Sequence, residues 1–237
     1  MKTPIRSSAS QAFTIIEMVA VVTIMMILGS LMGISVLGPR TPGARYGTHL
    51  QLIQMIEEAR VDAIGKAGTL AFRSEDNTVG KVYIGLAGAD HPDANKRLCS
   101  YILFRDYTQD ELDQLKPPVN SYYPISDWMY LPQGFYFDPD SSASLLQDPT
   151  NVISYTDGVS AEVDLHVVAF GNLGQMILPQ ESASAPVIVV AAGQYDSAQN
   201  VLTRSAGGTA SGFYLTLNRL TGRAHVINGV PTDPTAN

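Results

Sequence analysis

Apolar and polar positions divide the chain into three stretches. From Met18 to Pro39 no residue is charged and apolar side chains follow one another almost without a break. At about 1.5 Å per residue, a helix of that extent reaches across the roughly 30 Å of a bilayer's hydrocarbon core. Gly38-Pro39 and Pro42-Gly43 then interrupt the run, because proline lacks a backbone donor and crowds the preceding turn. From Arg45 to Lys66 the pattern becomes periodic: Leu52, Ile53, Ile56, Ala59, Ala63 and Ile64 recur at helical spacing, Glu57, Glu58 and Arg60 are left for the wet side, and Gly65 and Gly68 punctuate the end. The spacing predicts one long helix in two parts, the first in lipid and the second laid on a head, with the proline-glycine segment as the joint.

Beyond the helix the period shortens to that of strands. Thr69–Arg73, Lys81–Leu86 and Cys99–Phe104 are short and rich in β-branched or aromatic residues. Asp106, Asp110, Glu111 and Asp113 gather around Leu112 and Leu115, which predicts a brief helix or acidic loop, inserted before Pro117-Pro118. The second half reads as an antiparallel sheet: Val152–Tyr155, Glu162–Phe170, Gln175–Leu178, Val187–Ala192, Phe213–Asn218 and Arg223–Ile227. Gly171-Asn172-Leu173-Gly174 and Leu220-Thr221-Gly222 serve as hairpin-like connections, glycine taking backbone conformations that other residues resist. The predicted fold class is α+β: a long N-terminal helix, with a transmembrane half and a head-packed half, on an antiparallel β-sheet head.

Two charges in the first dozen residues, Lys2 and Arg6, make a positive flank that stays on the cytoplasmic side and sends the head outward. Glu17 stands just inside the apolar segment. A carboxylate at membrane depth costs on the order of 2.5 to 3.5 kcal/mol, so it calls for a cationic partner. A cut between Ala12 and Phe13 would create one, the new amine of Phe13, able to meet Glu17 of a neighbouring subunit.

The stretch Phe13-Thr14-Ile15-Ile16-Glu17-Met18, behind its short basic leader, resembles the class III signal of type IV pilins and type II secretion pseudopilins. The resemblance implies a leader at 1–12, cleavage by a prepilin peptidase between Ala12 and Phe13, N-methylation of Phe13, and an assembly role for Glu17. It departs from the family in having Ala12 where glycine is usual, and in lacking a proline before Leu37. An ordinary secretory signal or single-pass anchor would not need the glutamate. Gly29 and Gly33 form a small-xxx-small pair that lets helices approach closely. The resulting organisation is leader 1–12, transmembrane and assembly helix 13–38, and a periplasmic or extracellular head 39–237. Farther on, Leu131-Pro132-x-Gly134, Phe170-Gly171-Asn172-x-Gly174 and Leu217-Asn218-x-x-Thr221-Gly222-Arg223 are similar to strand ends of minor pseudopilins of the GspH/FimT type. Some FimT-like members are linked to DNA uptake through a basic C-terminal motif, from which Gly222-Arg223-Ala224-His225 departs at His225.

Composition narrows the functional classes. The 237 residues carry a formal charge of −7, more negative still without Lys2 and Arg6, which argues against broad nucleic-acid binding. Cys99 is the one cysteine, so the head has no internal disulfide, and its surroundings read as a strand with a buried structural thiol. His49, His91, His166 and His225 lack metal-ligand spacing, and neither a phosphate-cradling glycine loop nor a GxSxG elbow is present. Asp138 and Asp140 in Asp138-Pro139-Asp140-Ser141-Ser142 offer oxygens of the kind calcium takes, without the spaced ligands of an EF-hand loop, and a solvated turn is the stronger reading. The expectation is a non-enzymatic subunit without a cofactor, held in the inner membrane. Implied partners are a prepilin peptidase, other pilins or pseudopilins, the assembly machinery and membrane lipid. The alternatives are a membrane-tethered binding module that does not polymerise, and a DNA-uptake minor pilin.

Overall fold

The structure, a computed structural model, describes residues 16, 18, 19, 21–24, 42–66, 80–114, 122–141, 144–156, 162–179, 186–196, 199, 201–204 and 212–229. The chain divides into two compact units, Met1–Arg40 and Thr41–Asn237. In the first, Ile16, Met18, Val19 and residues 21–24 are helical, and the Thr23 hydroxyl donates to the Val19 carbonyl at 2.8 Å. Their apolar side chains are exposed, from 47% at Val21 to 78% at Ile16.

The second unit is built mainly of antiparallel strands. Helix α1 (Pro42–Gly65) leads into β1 (Val82–Ala87) and β2 (Ser100–Arg105), then the short helix α2 (Gln109–Gln114). β3 (Tyr123–Pro124), β4 (Met129–Tyr130) and β5 (Phe135–Phe137) are brief, and two 3-10 turns at Leu145–Gln147 and Pro149–Asn151 precede β6 (Val152–Tyr155). The remaining strands are β7 (Val163–Phe170), β8 (Met176–Leu178), β9 (Val187–Asp196), β10 (Val201–Arg204), β11 (Phe213–Leu217) and β12 (Ala224–Asn228). Among the described residues they form two sheets. One has the order β3-β2-β1-β7-β6, with β4 on β2 and β8 on β7; the other has the order β10-β9-β11-β12, with β5 on β9.

The core lies where α1 meets the inner faces of both sheets. Leu52, Met55, Ile56, Ala59 and Ala63 from α1 pack with Val82, Ile84, Leu86, Val168 and Phe170 of the first sheet and Ile188, Val190, Phe213 and Leu215 of the second. The first sheet also buries its other face, under Tyr83, Phe104, Tyr122 and Tyr155. β1 and β2 are therefore buried at every position, apolar on both sides apart from Ser100 and Arg105 at the ends of β2. Gly85 fits this crowding, since a methyl there would lie 2.8 Å from both Leu165 Cδ1 and Phe104 Cε1.

The predicted fold class is corrected on this evidence. In place of a long N-terminal helix dominating an α+β chain, the described residues are mostly antiparallel β-sheet beside the single long helix α1, and among them no helix is long and apolar enough to cross a membrane. The physical reason sits at the proline-glycine joint. Pro42 is the first residue of α1, the position where a missing N–H costs nothing, and the charged residues Arg45, Glu57, Glu58, Arg60 and Asp62 mark α1 as a helix of the second unit. Most of the apolar run itself, with Ala12, Phe13, Glu17, Gly29 and Gly33, lies outside the described residues, as does the expected strand Thr69–Arg73.

Other expectations fare better. Both glycine turns join antiparallel neighbours, β7 to β8 and β11 to β12. The acidic segment contains a brief helix, α2. Cys99 departs from its expected setting: it precedes β2, is only partly buried, and its thiol donates to the Asn95 carbonyl at 3.2 Å. Burial holds that thiol above its ordinary pKa, with the charge of Asp93 adding to the effect.

Candidate functional site

Helix α1 is apolar on two sides. At about 100° per residue, Tyr46, Leu50, Val61 and Ile64 fall within roughly 60° of one another, on the side away from Leu52, Ile56, Ala59 and Ala63. The inner set is buried against the sheets, whereas Tyr46 is 62% exposed, Leu50 50%, Val61 59% and Ile64 43%. Ile64, expected on the core side, belongs to this outer stripe. Glu57 falls in the same arc and divides the stripe into a Tyr46–Leu50 part and a Val61–Ile64 part.

At its C-terminal end the stripe runs into the two glycine turns. Gly174 has φ of +74° and Gly222 of +66°, values glycine adopts without steric cost. A methyl on Gly174 would stand 2.8 Å from Ile64 Cδ1 and 3.1 Å from Arg60 Cγ, and one on Gly222 would run into the Gly174 carbonyl oxygen. The Met176 N–H donates to the Arg219 carbonyl at 2.9 Å, tying one turn to the other. Asn218 shapes its own turn by accepting from the N–H groups of Leu220 and Thr221, both at 3.0 Å. The tips that result are apolar and bare: Leu173 is 80% exposed and Leu220 86%. Arg60, clasped between the turns, pairs with Glu57 at 2.6 Å, and Arg219 and Arg223 flank Leu220 in the chain.

A second charged feature closes the same end of the first sheet. Arg105, almost fully buried, grips Glu111 of α2 through two bonds of 2.7 and 2.6 Å, while its guanidinium lies 4.0 Å from the Tyr123 ring centroid. The Arg105 bonds hold Glu111 well below the usual carboxylate range, at about 2, with Thr108 assisting through its N–H at 2.8 Å. This fork fixes α2 to the sheet and leaves Asp110 and Asp113 on the outside.

The remaining candidates fall elsewhere. Asp138 is 2% exposed at the end of β5 and its carboxylate accepts the Asp140 N–H at 3.0 Å, while Asp140 is exposed. Among the described residues no group of three or more His, Cys, Asp or Glu side chains is placed to hold a metal. His91 is buried edge-on to Trp128, its Nδ1 accepting the Asp93 N–H at 3.1 Å; His166 sits on β7, partly buried. Burial lowers the pKa of both rings.

No family model, curated protein or solved structure matches this chain. What the structure adds to the sequence reading is the outer stripe of α1 and the corner of hairpin tips. The stripe had a legible signal in the i, i+4 pairing of Tyr46 with Leu50. Leu173 and Leu220 had a fainter one, each a large apolar residue placed inside a glycine turn.

Proposed function

We propose that the chain is a structural, non-enzymatic subunit of a filament of the type IV pilus or type II secretion kind, a minor pilin or pseudopilin. A prepilin peptidase removes residues 1–12 and methylates the Phe13 amine. The apolar segment that follows holds the subunit in the inner membrane, with the Thr41–Asn237 unit on the outer side, until it is drawn into the filament. The observation that carries this reading is the second apolar face of α1. Tyr46, Leu50, Val61 and Ile64 stand bare around Glu57, the charged residue in their arc, and exposed apolar side chains also mark helical residues 16, 18, 19, 21, 22 and 24. In the filament these surfaces are covered by neighbouring subunits, and Glu17 meets the Phe13 amine of one of them, which compensates both charges where water is scarce.

The test is co-expression of the full chain with a prepilin peptidase and partner pilins, read by mass spectrometry and crosslinking. The expected product begins at Phe13 and is N-methylated. Glu17→Ala leaves membrane content and cleavage intact and removes crosslinking to partner pilins, and Leu50→Glu on the outer stripe does the same without lowering the melting temperature. Retention of Met1, or a cut after Leu37, would overturn the reading. Unchanged crosslinking of both variants would leave a membrane-tethered binding module as the better account.

A further inference from the structure

Helix α1 lies along β12, the last strand of the second sheet, and is pinned to it at both ends. Near the start of the helix Arg45 donates to Asn228 Oδ1 at 3.0 Å and to the Gly212 carbonyl at 2.6 Å. Near its end Arg60 Cδ stands 3.0 Å from where a methyl on Gly222 would sit. The helix rises about 22 Å from Arg45 to Arg60, and the chain from Asn228 back to Gly222 extends about 20 Å, so α1 and β12 are antiparallel neighbours over the whole strand. Between the pins, Ile53 of α1 and Ala224 and Val226 of β12 are each half-buried against the core. At about 100° per residue, Ile53, Tyr46 and Leu50 follow Arg60 round the helix within roughly 80°, and they form the wall that overhangs the outer edge of β12.

That edge is unpaired. Among the described residues β12 pairs with β11 alone, Phe213 standing opposite Asn228. The Asn218 N–H donates to the Arg223 carbonyl at 2.9 Å and the Gly229 N–H to the Gly212 carbonyl at 3.0 Å. By the alternation of an antiparallel ladder, Arg223, His225, Ile227 and Gly229 turn their backbone groups to β11, and Ala224, Val226 and Asn228 turn theirs away from it. Edge strands are ordinarily guarded by a charge, a proline or a bulge; Ala224–Asn228 has no charged residue or proline, and its pairing with β11 runs without a register shift. The ends of the groove are basic. Arg45 has only neutral partners, Arg223 is exposed, and Glu57, the carboxylate on this side of α1, is taken up by Arg60.

We propose that the groove between α1 and β12 receives an extended segment of a different subunit of the filament, added to β12 as an antiparallel strand, apolar at alternate positions and acidic at its ends. The outward groups of Ala224, Val226 and Asn228 call for amide donors and acceptors at strand spacing, which another polypeptide backbone supplies. Every second side chain of the incoming strand then covers Ile53, Tyr46 and Leu50, and its acids meet Arg45 and Arg223. β12 of a second copy does not meet these terms. Two β12 strands paired antiparallel set Arg223 of each beside Arg45 of the other, and they turn the two α1 helices in opposite directions, whereas subunits drawn from one membrane into one filament run the same way. This contact rests on the filament reading above and specifies the surface through which the subunit meets an unlike neighbour.

The experiment places a photoreactive benzoylphenylalanine at Ile227, an exposed position on β12, in the full-length chain co-expressed with the prepilin peptidase and partner pilins. A crosslink to a different pilin is expected, at a segment with alternating apolar residues. Val226→Pro deletes an outward N–H and no bond to β11, so it should lower that crosslink at least about tenfold while shifting the melting temperature by no more than about 4 °C. Ala224→Pro deletes another outward N–H and carries the same expectation, so the result does not hang on one variant folding. Arg223→Glu should lower the crosslink by about three- to tenfold through the charge at the groove's end. A crosslink that survives both proline variants would overturn strand addition, and one to a second copy of this chain would overturn the choice of occupant. The same probe at Val61, on the α1 stripe beyond Glu57, separates the two readings: crosslinks there with none at Ile227 would overturn the groove contact and leave the filament standing, and silence at both would remove the two together.

Discussion

Gly222 lies so close to Gly174 that a methyl on the first would overlap the carbonyl oxygen of the second. Two hairpins from different sheets are joined at this point; both close over Arg60 near the end of α1, and the Gly174 turn over Ile64 as well. A helix end and two turns far apart in sequence thus become one corner.

Gly222→Ala is therefore expected to destabilise the second unit by on the order of 3 kcal/mol, from a positive φ forced on alanine and from overpacking against Gly174. Chemical denaturation of the wild type and variant measures it. A loss below about 0.5 kcal/mol, the level of an ordinary surface change, would mean the turns separate without cost.

Gly85 in the middle of β1 makes a comparable prediction for the first sheet. Gly85→Val places its branched side chain between Leu165 and Phe104, which already stand at 2.8 Å from where a methyl would sit. Valine favours strands, so propensity alone predicts a gain; crowding predicts a net loss of about 1–3 kcal/mol. The sign of the shift in melting temperature separates the two effects.

The Arg105–Glu111 pair predicts an acid-dependent term. Glu111 has a folded pKa of about 2 against an ordinary value of 4.5. Because the folded value is depressed, its stabilisation is fully present above pH 4.5 and is lost as pH falls through about 2. Glu111→Gln should lower the melting temperature at neutral pH, and its deficit relative to the wild type should shrink steadily over that window. A deficit that does not change with pH would show that the pair contributes packing alone.

His91 predicts a second, milder window. Burial lowers its pKa from 6.5, the ring being held neutral while Nδ1 accepts from Asp93. The stability it lends is present above pH 6.5 and declines as the pH falls toward the lowered value, when the protonated ring can no longer accept that bond. His91→Gln should flatten the fall in melting temperature just below pH 6.5, and an identical slope in the variant would assign the acid response to other groups, with His166 and His49, both likewise lowered, as the next to replace.

Much of this protein was determined by its local sequence. Strand positions such as Val152–Tyr155 and Val163–Phe170, the two glycine turns and the inner face of α1 follow from periodicity and from the conformations glycine permits, which are properties of neighbouring residues. The expected leader at 1–12 and the Phe13–Met18 motif are likewise readings of sequence, and the proposed function still depends on them. The balance of the fold was not local. The packing of α1 against both sheets, through Leu52, Ile56 and Ala59, and the mostly β make-up of the described residues are matters of tertiary structure. Burial of both faces of β1 and β2 depends on the aromatic layer brought in by Tyr122 and Tyr155. The corner was decided last of all: Leu173, Leu220, Arg219 and Ile64 carry no shared period, and only the pairing of β7 with β8 and β11 with β12, closed against α1 through Gly174 and Gly222, brings them to one surface.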